Sequence, residues 1–375
     1  MHSPNTSEND SSSDPAASEV IMSEKVSIRW YRTKVDKAVM SRLMKRSDIK
    51  AARQCLLVTG LFVLTGTLCY LSFQNVNSAN WFWSVPLVFI CLFFHGTFCQ
   101  FMGPVAIHEL CHKTPFRNQY LNDFFMYLFS FLSWHDPIGF RASHVKHHQV
   151  TCYHDLDGEV ILPQKMDWDC VKFWFWQLVP IPHPTWSWNR ICGWARTAMI
   201  DTTAGADVYG DWPNKTMPAS NQGLRLNHRN WARIILLGHL SLALIFIATG
   251  HWYLILIVSM STFYCSWLCW AICMPPQHIG MTPNSPDFRL ACRTYTCGRF
   301  IGFLYWNMQY HIEHHMFPAI PFYNLPELRK AIQHDLPPAT HGLFKTWREI
   351  LPVLKKQRLN PEYTFIPDLP SQAGS

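Results

Sequence analysis

The chain has 375 residues, of which 49% are hydrophobic and only 15% are charged, against roughly 25% charged residues in an ordinary soluble protein. This composition excludes a typical soluble globular domain and favours a protein embedded in a membrane. The formal net charge is +7, and the 19 histidines are unusually many for this length.

The first two segments of the chain are polar. Residues 1–24 are rich in Ser, Asn, Asp and Glu, which predicts a disordered tail. Residues 25–54 form a basic segment before the first apolar run, and the positive-inside rule places this segment in the cytosol. Its cations are Lys25, Arg29, Arg32, Lys34, Lys37, Arg42, Lys45, Arg46, Lys50 and Arg53.

Four apolar segments, arranged in two pairs, predict four transmembrane helices in two hairpins, because a helix needs roughly 20 residues to cross the hydrocarbon. They cover about residues 55–73, 81–102, 234–249 and 252–274. Each hairpin returns the chain to its starting side. The middle region (103–233) and the C-terminal region (275–375) are therefore both expected in the cytosol, where they form a helical cap.

Parts of the cap are expected to contact lipid. Residues 121–134 and 171–179 are aromatic-rich and too short or too polar to cross, which favours helices lying at the membrane interface. Ordinary core helices of the cap are the alternative. The membrane domain with its cap is expected over residues 55–350, followed by a C-terminal tail at 351–375. The predicted fold is thus mainly α, a polytopic membrane protein with both termini in the cytosol.

Three histidine clusters lie on the inferred cytosolic side, with spacings HxxxH, HxxHH and HxxHH. Residues three or four apart share one face of a helix, so each cluster is one-sided. Their members are His108, His112, His144, His147, His148, His311, His314 and His315. Eight histidines in such a pattern are poorly explained as core filler.

Neutral imidazole is a good ligand for iron, zinc, copper and nickel. Eight imidazoles exceed the ligand set of one ion, because structural zinc takes four ligands and catalytic zinc three from the protein. Two ions with about four or five ligands each fit the count. Iron is the redox-active choice suited to oxygen activation.

The first cluster also matches another signature. His108-Glu109-x-x-His112 is the pattern of a zinc protease, in which the glutamate is the catalytic base. Such an enzyme needs one more ligand, so it leaves the two HxxHH clusters without a purpose. A non-catalytic membrane protein is a further alternative, and it would contain no iron.

The three clusters around two membrane hairpins resemble the membrane fatty acid desaturase family over roughly residues 80–335. The resemblance is richest in Gln277-His278, Arg293-Thr294, residues 310–318 and residues 321–326. In this family a single histidine shortly after the fourth span usually joins the metal ligands. His278 matches that position and brings the candidate ligands to nine. Two residues depart from the family pattern, since Gln277 stands where Glu is frequent and Gln309 where Asn is frequent.

The resemblance implies a centre of two iron ions (Fe²⁺) that uses O₂ to introduce a double bond into a lipid or fatty acyl chain. The sequence has no evident NAD or flavin motif, so electrons are expected from an external carrier such as cytochrome b5 or ferredoxin. The basic surface would suit an acidic carrier. Nucleic acid is not an expected partner, and the endoplasmic reticulum is the expected location in a eukaryote. The alternative within the family is a hydroxylase or ketolase of an acyl, sphingoid, alkane or isoprenoid substrate.

Ligating histidines usually donate their second N–H to a carboxylate or carbonyl. Five side chains near the clusters are candidates for this role, although each could instead be a solvated surface group. They are Glu109, Asp155, Asp157, Asn307 and Glu313. His95 and His239 lie within predicted spans, where a polar side chain is costly, so each is expected to have a polar partner.

Overall fold

The computed structural model describes residues 28–160, 172, 174–200 and 211–370. The tail expected at 1–24 lies outside the described residues. The described chain is mainly helical, as predicted, and its one sheet pairs β1 (Tyr295–Thr296) in parallel with β2 (Thr340–His341).

The helices of the first half carry two of the histidine clusters. They are α1 (Lys37–Leu43), α2 (Asp48–Gln74), α3 (Trp81–Cys99), α4 (Ile107–Cys111), α5 (Gln119–Leu132), α6 (Pro137–Val150) and α7 (Pro184–Met199). A π-helical turn, Met102–Ala106, joins α3 to α4.

The second half contains one long helix followed by shorter elements. The α-helices are α8 (Trp212–Thr216), α9 (Gln222–Ala248), α10 (Phe288–Ala291), α11 (Arg299–Leu304), α12 (His311–Met316), α13 (Leu325–Ile332) and α14 (Leu343–Leu359). Two further π-helical stretches are Ile255–Ser259 and Trp267–Cys273, and the 3₁₀ turns are Pro275–Gln277, Phe322–Asn324 and Gln333–Asp335.

Among the residues that the structure describes, three helices are long and apolar enough to cross a membrane. They are Asp48–Gln74, Trp81–Cys111 and Gln222–Ala248. The second is a run of 31 residues that includes α3, the π-helical turn and α4, so the first histidine cluster lies at the end of a span. These helices contain three of the four predicted segments, and they support the prediction of a helical membrane protein.

The fourth predicted segment, residues 252–274, is not one continuous helix. Its two π-helical stretches are separated by residues 260–266, where Cys265 has a left-handed φ of 52°. Side chains from other elements satisfy the freed carbonyls: Trp134 donates to Ser259 O at 2.7 Å, and Gln100 donates to Tyr264 O at 3.0 Å. Irregular backbone at membrane depth is tolerated only when it is buried and hydrogen-bonded in this way.

The two histidines within spans have the polar partners that their position requires. His95 contacts Thr65 Oγ1 at 2.7 Å and the Ile257 carbonyl at 2.8 Å, so it links α2, α3 and the broken segment. His239 Nε2 lies 2.9 Å from the Phe131 carbonyl and ties α9 to α5. The expectation that each is partnered is therefore confirmed.

Gly96 in α3 marks a close approach to the broken segment. A Cβ at this position would lie 2.5 Å from Tyr264 Cδ2 and 2.9 Å from the Tyr264 carbonyl oxygen. We expect Gly96→Ala to lower the free energy of unfolding by about 1–3 kcal/mol through overpacking. Thermal unfolding in detergent, followed by tryptophan fluorescence, measures this effect.

Gly60→Ala in α2 is the matched control. Nothing lies within 4 Å of a Cβ built at Gly60, and alanine favours a helix by up to about 1 kcal/mol over glycine. This variant should unfold at or slightly above the wild-type temperature. Equal unfolding temperatures for the two variants would show that the Gly96 contact is not tight.

The helices between the long apolar segments carry both buried and exposed apolar residues. In α5 the side chains of Phe125 and Phe129 are buried, whereas Tyr120 and Phe124 are exposed, so the helix has apolar residues on two faces. The second stretch expected at the interface, 171–179, lies partly outside the described residues. The last helix, α14, extends across residue 350, and Val353 and Leu354 on it are buried.

Candidate metal centre

Each histidine cluster lies on a helix. The first follows the π-helical turn, with His108 inside α4 and His112 at its C-cap. The second lies on α6, which starts at Pro137 and is capped by the Asp136 side chain through the backbone N–H groups of residues 138 and 139. The third occupies α12, and His278 ends a 3₁₀ turn.

The nine predicted ligands come together from four separate parts of the chain. Within the described part of the chain, most of them fall into two groups, and the donor atoms inside each group all lie within 4.8 Å of one another. The first group consists of His108, His112, His144, His148 and His314, and the second of His278, His311, His315 and Cys292. His147 lies beside the second group, with its ring centroid 5.0 Å from that of His315 and 5.4 Å from that of His278.

The HxxHH spacing divides each cluster between the two groups. On α6, His144 and His148 belong to the first group, while His147 faces the second. On α12, the assignment is the reverse: His314 belongs to the first group, and His311 and His315 belong to the second. Residues one turn apart share a face and the intervening residue points elsewhere, so one short helix can serve two adjacent sites.

The Nε2 atoms in each group face one another. His144 Nε2 lies 3.2 Å from His112 Nε2 and 3.0 Å from His148 Nε2, and His148 Nε2 lies 3.2 Å from His314 Nε2. In the second group, His311 Nε2 lies 2.9 Å from His278 Nε2 and 3.0 Å from His315 Nε2.

Several of the opposite ring nitrogens have acceptors of their own, whereas Nδ1 of His148, His311 and His314 has no hydrogen-bond partner among the described residues. His108 Nδ1 donates to Glu109 at 3.0 Å, His144 Nδ1 to Glu159 at 2.5 Å, and His147 Nδ1 to Asp157 at 2.8 Å. His278 Nδ1 donates to the Ala291 carbonyl at 3.0 Å. A neutral imidazole with its proton on Nδ1 has a lone pair on Nε2.

These contacts make the donor set fit metal ions. Lone pairs that face one another at about 3 Å repel unless a cation lies between them, and nitrogens about 2.1 Å from a common ion are separated by about this distance. Burial also leaves His108 Nε2 without a hydrogen-bond partner in the described part of the chain. The residues of both groups could therefore hold metal.

Burial keeps most of the imidazoles uncharged. It lowers the pKa of His112, His144, His148, His311, His314 and His315 well below the ordinary value, and neighbouring imidazoles lower each further. Burial also lowers the pKa of His278 to about 3. At His147 burial again lowers the pKa, but the Asp157 carboxylate outweighs it and raises the pKa to about 9.

Comparison with known proteins identifies the family. Residues 81–347 match the family model described as fatty acid desaturase. The chain belongs to the fatty acid desaturase family. The resemblance seen in its sequence is thereby confirmed.

One curated relative of this desaturase-family chain is a Delta(5) fatty acid desaturase, fat-4, from Caenorhabditis elegans, which is 25% identical over 239 residues. The alignment covers 58% of this chain and 51% of the relative, so the chain spans about half the length of the curated relative it matches.

The structure brings only some of the predicted supporting groups to the histidines. Glu109 contacts His108 and lies 3.8 Å from His314 Nδ1, and Asp157 contacts His147. Asp155 is exposed, and among the described residues its side chain contacts no histidine of the three clusters.

Two further candidates are directed elsewhere. Asn307 has a left-handed backbone (φ 57°), and its side chain donates to the Phe322 carbonyl at 3.2 Å. Glu313 is fully buried within the third cluster, but its carboxylate accepts from Thr294 at 2.6 Å and from Arg329 at 3.1 Å. Both side chains stabilise the backbone around the third cluster. In the described part of the protein, neither contacts a histidine of the three clusters.

Sequence reasoning missed three groups at the site. Glu159 accepts from His144, Thr151 Oγ1 lies 3.2 Å from His315 Nδ1, and the Cys292 thiol joins the second group. Glu159 is two residues beyond Asp157, and the same reasoning that selected Asp157 would have found it. Cys292 carries no comparable signal, because it approaches the histidines only through the fold.

Glu159 gives a direct test of the supporting groups in this desaturase-family centre. Mutation of the group that holds a ligating histidine typically costs 10–100-fold in metal affinity. We expect Glu159→Gln to weaken metal binding by about that factor, measured by competition with a chelator. Asp155→Asn, a matched change four residues away, should leave the affinity unchanged. Equal affinities for the two variants would contradict a supporting role for Glu159.

Proposed function

We propose that this chain is a membrane-bound, di-iron, O₂-dependent fatty acyl desaturase. The observation that supports it is the pair of adjacent imidazole groups, with Nε2 atoms 2.9–3.2 Å apart, in a chain of the desaturase family. The similarity to a Delta(5) fatty acid desaturase also favours an acyl chain as substrate.

Nine histidines would hold the two ions. One ion would take His108, His112, His144, His148 and His314, and the other His147, His278, His311 and His315. Iron bound there would supply O₂ activation and the removal of hydrogen from an unactivated C–H bond. The first set has five histidines and the second has four, which matches the four or five ligands per ion expected from the number of imidazoles.

The protein's own groups would orient this centre and keep it dry. Glu109, Glu159 and Asp157 hold the Nδ1 protons of their histidines, so that the Nε2 lone pairs point inward. Most of the cluster histidines are buried, and His112 and His148 are half-buried, so little bulk water would reach the centre, which protects it from side reactions. The remaining task is to hold the acyl chain with one methylene facing the metals.

The topology belongs to the same proposal. The broken segment, residues 252–274, forms the fourth crossing, since its free carbonyls are bonded within the protein. Both termini are cytosolic, and the exposed Tyr120 and Phe124 of α5 contact the membrane interface. The membrane domain extends over 55–350, the electrons come from an external carrier, and a eukaryotic host would hold the protein in the endoplasmic reticulum.

Two other activities make different demands on the site. A hydroxylase or ketolase would use the same ligands and differ only in the fate of the substrate radical. In a zinc protease Glu109 would face a water molecule as the base, but here it is 1% exposed and accepts from His108. The burial of the Glu109 carboxylate and its contact with His108 therefore favour a role in orienting that ligand.

Expression in a desaturase-deficient host, followed by mass spectrometry of the lipids, tests the proposal. We expect acyl chains that have lost two hydrogens, and about two iron ions per purified chain. Products that have gained an oxygen would favour the hydroxylase or ketolase. A preparation of the protein that is active but contains no iron would contradict the proposed function altogether.

A further inference from the structure

Residues 28–35, which we call the N-terminal strap, pack over the third histidine cluster. The Tyr31 and Thr33 hydroxyls both donate to Asp335, at 2.7 and 2.6 Å. The Thr33 backbone N–H and hydroxyl also contact the sulfur of Met316, the residue that ends the cluster helix, at 3.4 Å. The strap is therefore fixed against the cap, although the sequence suggested only a basic segment before a span.

Two aromatic rings lead from the strap to His315 in the second histidine group. Trp30 stacks on Phe288, with ring centroids 4.0 Å apart and planes 7° from parallel. The Phe288 ring lies 5.4 Å from His315, and both of these residues are 1% exposed. Trp30 is partly exposed, and its indole N–H donates to the Gln149 carbonyl at 2.9 Å. The stack thus joins the protein surface to a proposed metal ligand.

The surface around Trp30 is positively charged. Arg29, Arg32 and Lys34 are exposed, and none of them forms an ion pair with an acidic side chain in the described part of the chain. Arg289, whose guanidinium lies over the Tyr31 ring, is different because it is paired with two carboxylates, those of Asp287 and Asp335. The three surface cations therefore remain available to a partner with an acidic face.

We propose that the N-terminal strap is the docking face for an acidic protein that carries one electron, and that electrons pass through Trp30 and Phe288 to His315. This inference rests on the proposed function, which needs electrons from outside the chain. Each transfer oxidises the carrier by one electron and reduces the metal centre by one, without making or breaking a bond. Two transfers, two protons and one O₂ balance the conversion of CH₂–CH₂ to CH=CH with two waters.

Another basic surface lacks the second feature. Lys345, Arg348 and Lys355 are exposed on α14. Among the described residues, no series of aromatic rings leads from α14 to a histidine of the three clusters. The combination of free cations with a buried aromatic route is what favours the strap, and α14 supplies the control.

Binding to the metal-free protein tests the docking face without relying on activity. The probes are the oxidised haem domain of a cytochrome b5 and an oxidised plant-type ferredoxin, and the protein is held in phosphatidylcholine nanodiscs. Because charge steering contributes about 10–10³-fold to association rates, the triple change Arg29→Glu, Arg32→Glu and Lys34→Glu should weaken binding of at least one carrier about tenfold or more at low salt. The difference should shrink near 1 M salt, where charges are screened within about 3 Å.

The triple change Lys345→Glu, Arg348→Glu and Lys355→Glu is the matched control and should leave the affinity unchanged. Equal weakening by both triple variants, or no binding of either carrier to the wild type, would overturn the proposal. If the strap variant differs from wild type only in anionic bilayers, the strap binds lipid instead and the proposal is wrong.

Trp30 tests the route in the iron-loaded protein. Trp30→Leu should slow oxidation of a saturating reduced carrier severalfold in stopped-flow measurements, whereas Trp30→Phe should retain most of the rate. Iron content, carrier affinity and reduction by dithionite should stay unchanged in both. Wild-type protein without iron would show that the proposed function fails, while normal iron and an unchanged transfer rate in Trp30→Leu would refute the route alone.

Discussion

Replacing His315 by alanine is expected to reduce the iron content of the purified protein from about two ions per chain to about one. His315 Nε2 lies 3.0 Å from His311 Nε2 in the second group, and the first group does not include it. Loss of a supporting residue alone costs 10–100-fold in affinity or activity, so loss of a ligand should lower desaturation at least about 100-fold. Elemental analysis and lipid profiling measure the two effects.

His154→Ala is the control for this prediction. His154 lies just after the second cluster on an exposed part of the chain, and it belongs to neither metal group. Its replacement should leave both iron ions and the activity in place. Combining His315→Ala with His148→Ala, which removes a ligand from the first group, should leave no iron. Two ions retained in His315→Ala would contradict the division into two sites.

The histidine spacing carried most of the information about the site. Because α6 and α12 are helical, the i, i+3 and i+4 positions determine which rings share a face and which of the two groups each ring joins. His278 has no such pattern, and the sequence alone identified it only through family resemblance. His278 approaches His311 because a 3₁₀ turn ends at His278.

Long-range contacts account for what could not be predicted. Hydropathy shows that residues 252–274 form a long apolar segment. It does not reveal that the helix is broken there, or that Gln100 and Trp134 donate hydrogen bonds to its free carbonyls from distant elements. The Asn307 side chain was expected to face a histidine one helical turn away, but the chain is not helical there, since Trp306 and Asn307 both have positive φ. The N-terminal strap likewise depends on Asp335, 302 residues from Thr33.

The buried pair of Glu313 and Arg329 leads to the second large effect. Glu313 is 0% exposed, and its Oε1 lies 3.1 Å from Arg329 Nη1, so the arginine supplies the charge that makes burial of the carboxylate tolerable. Removing one partner of a buried pair typically costs about 3–5 kcal/mol, because the other charge is left uncompensated. We expect Arg329→Met to lower the free energy of unfolding of the metal-free protein by about that amount.

The surface pair of Arg42 and Glu327 is the matched control for this prediction. Its atoms are as close, at 2.7 Å, but its side chains are 62% and 54% exposed, so Arg42→Met should cost less than about 1 kcal/mol. Adding Glu313→Gln to Arg329→Met should recover part of the loss, since no charge then remains buried. Thermal unfolding in detergent compares all four proteins without metal. If Arg329→Met and Arg42→Met lowered the unfolding temperature equally, the carboxylate inside the third cluster would not depend on its arginine.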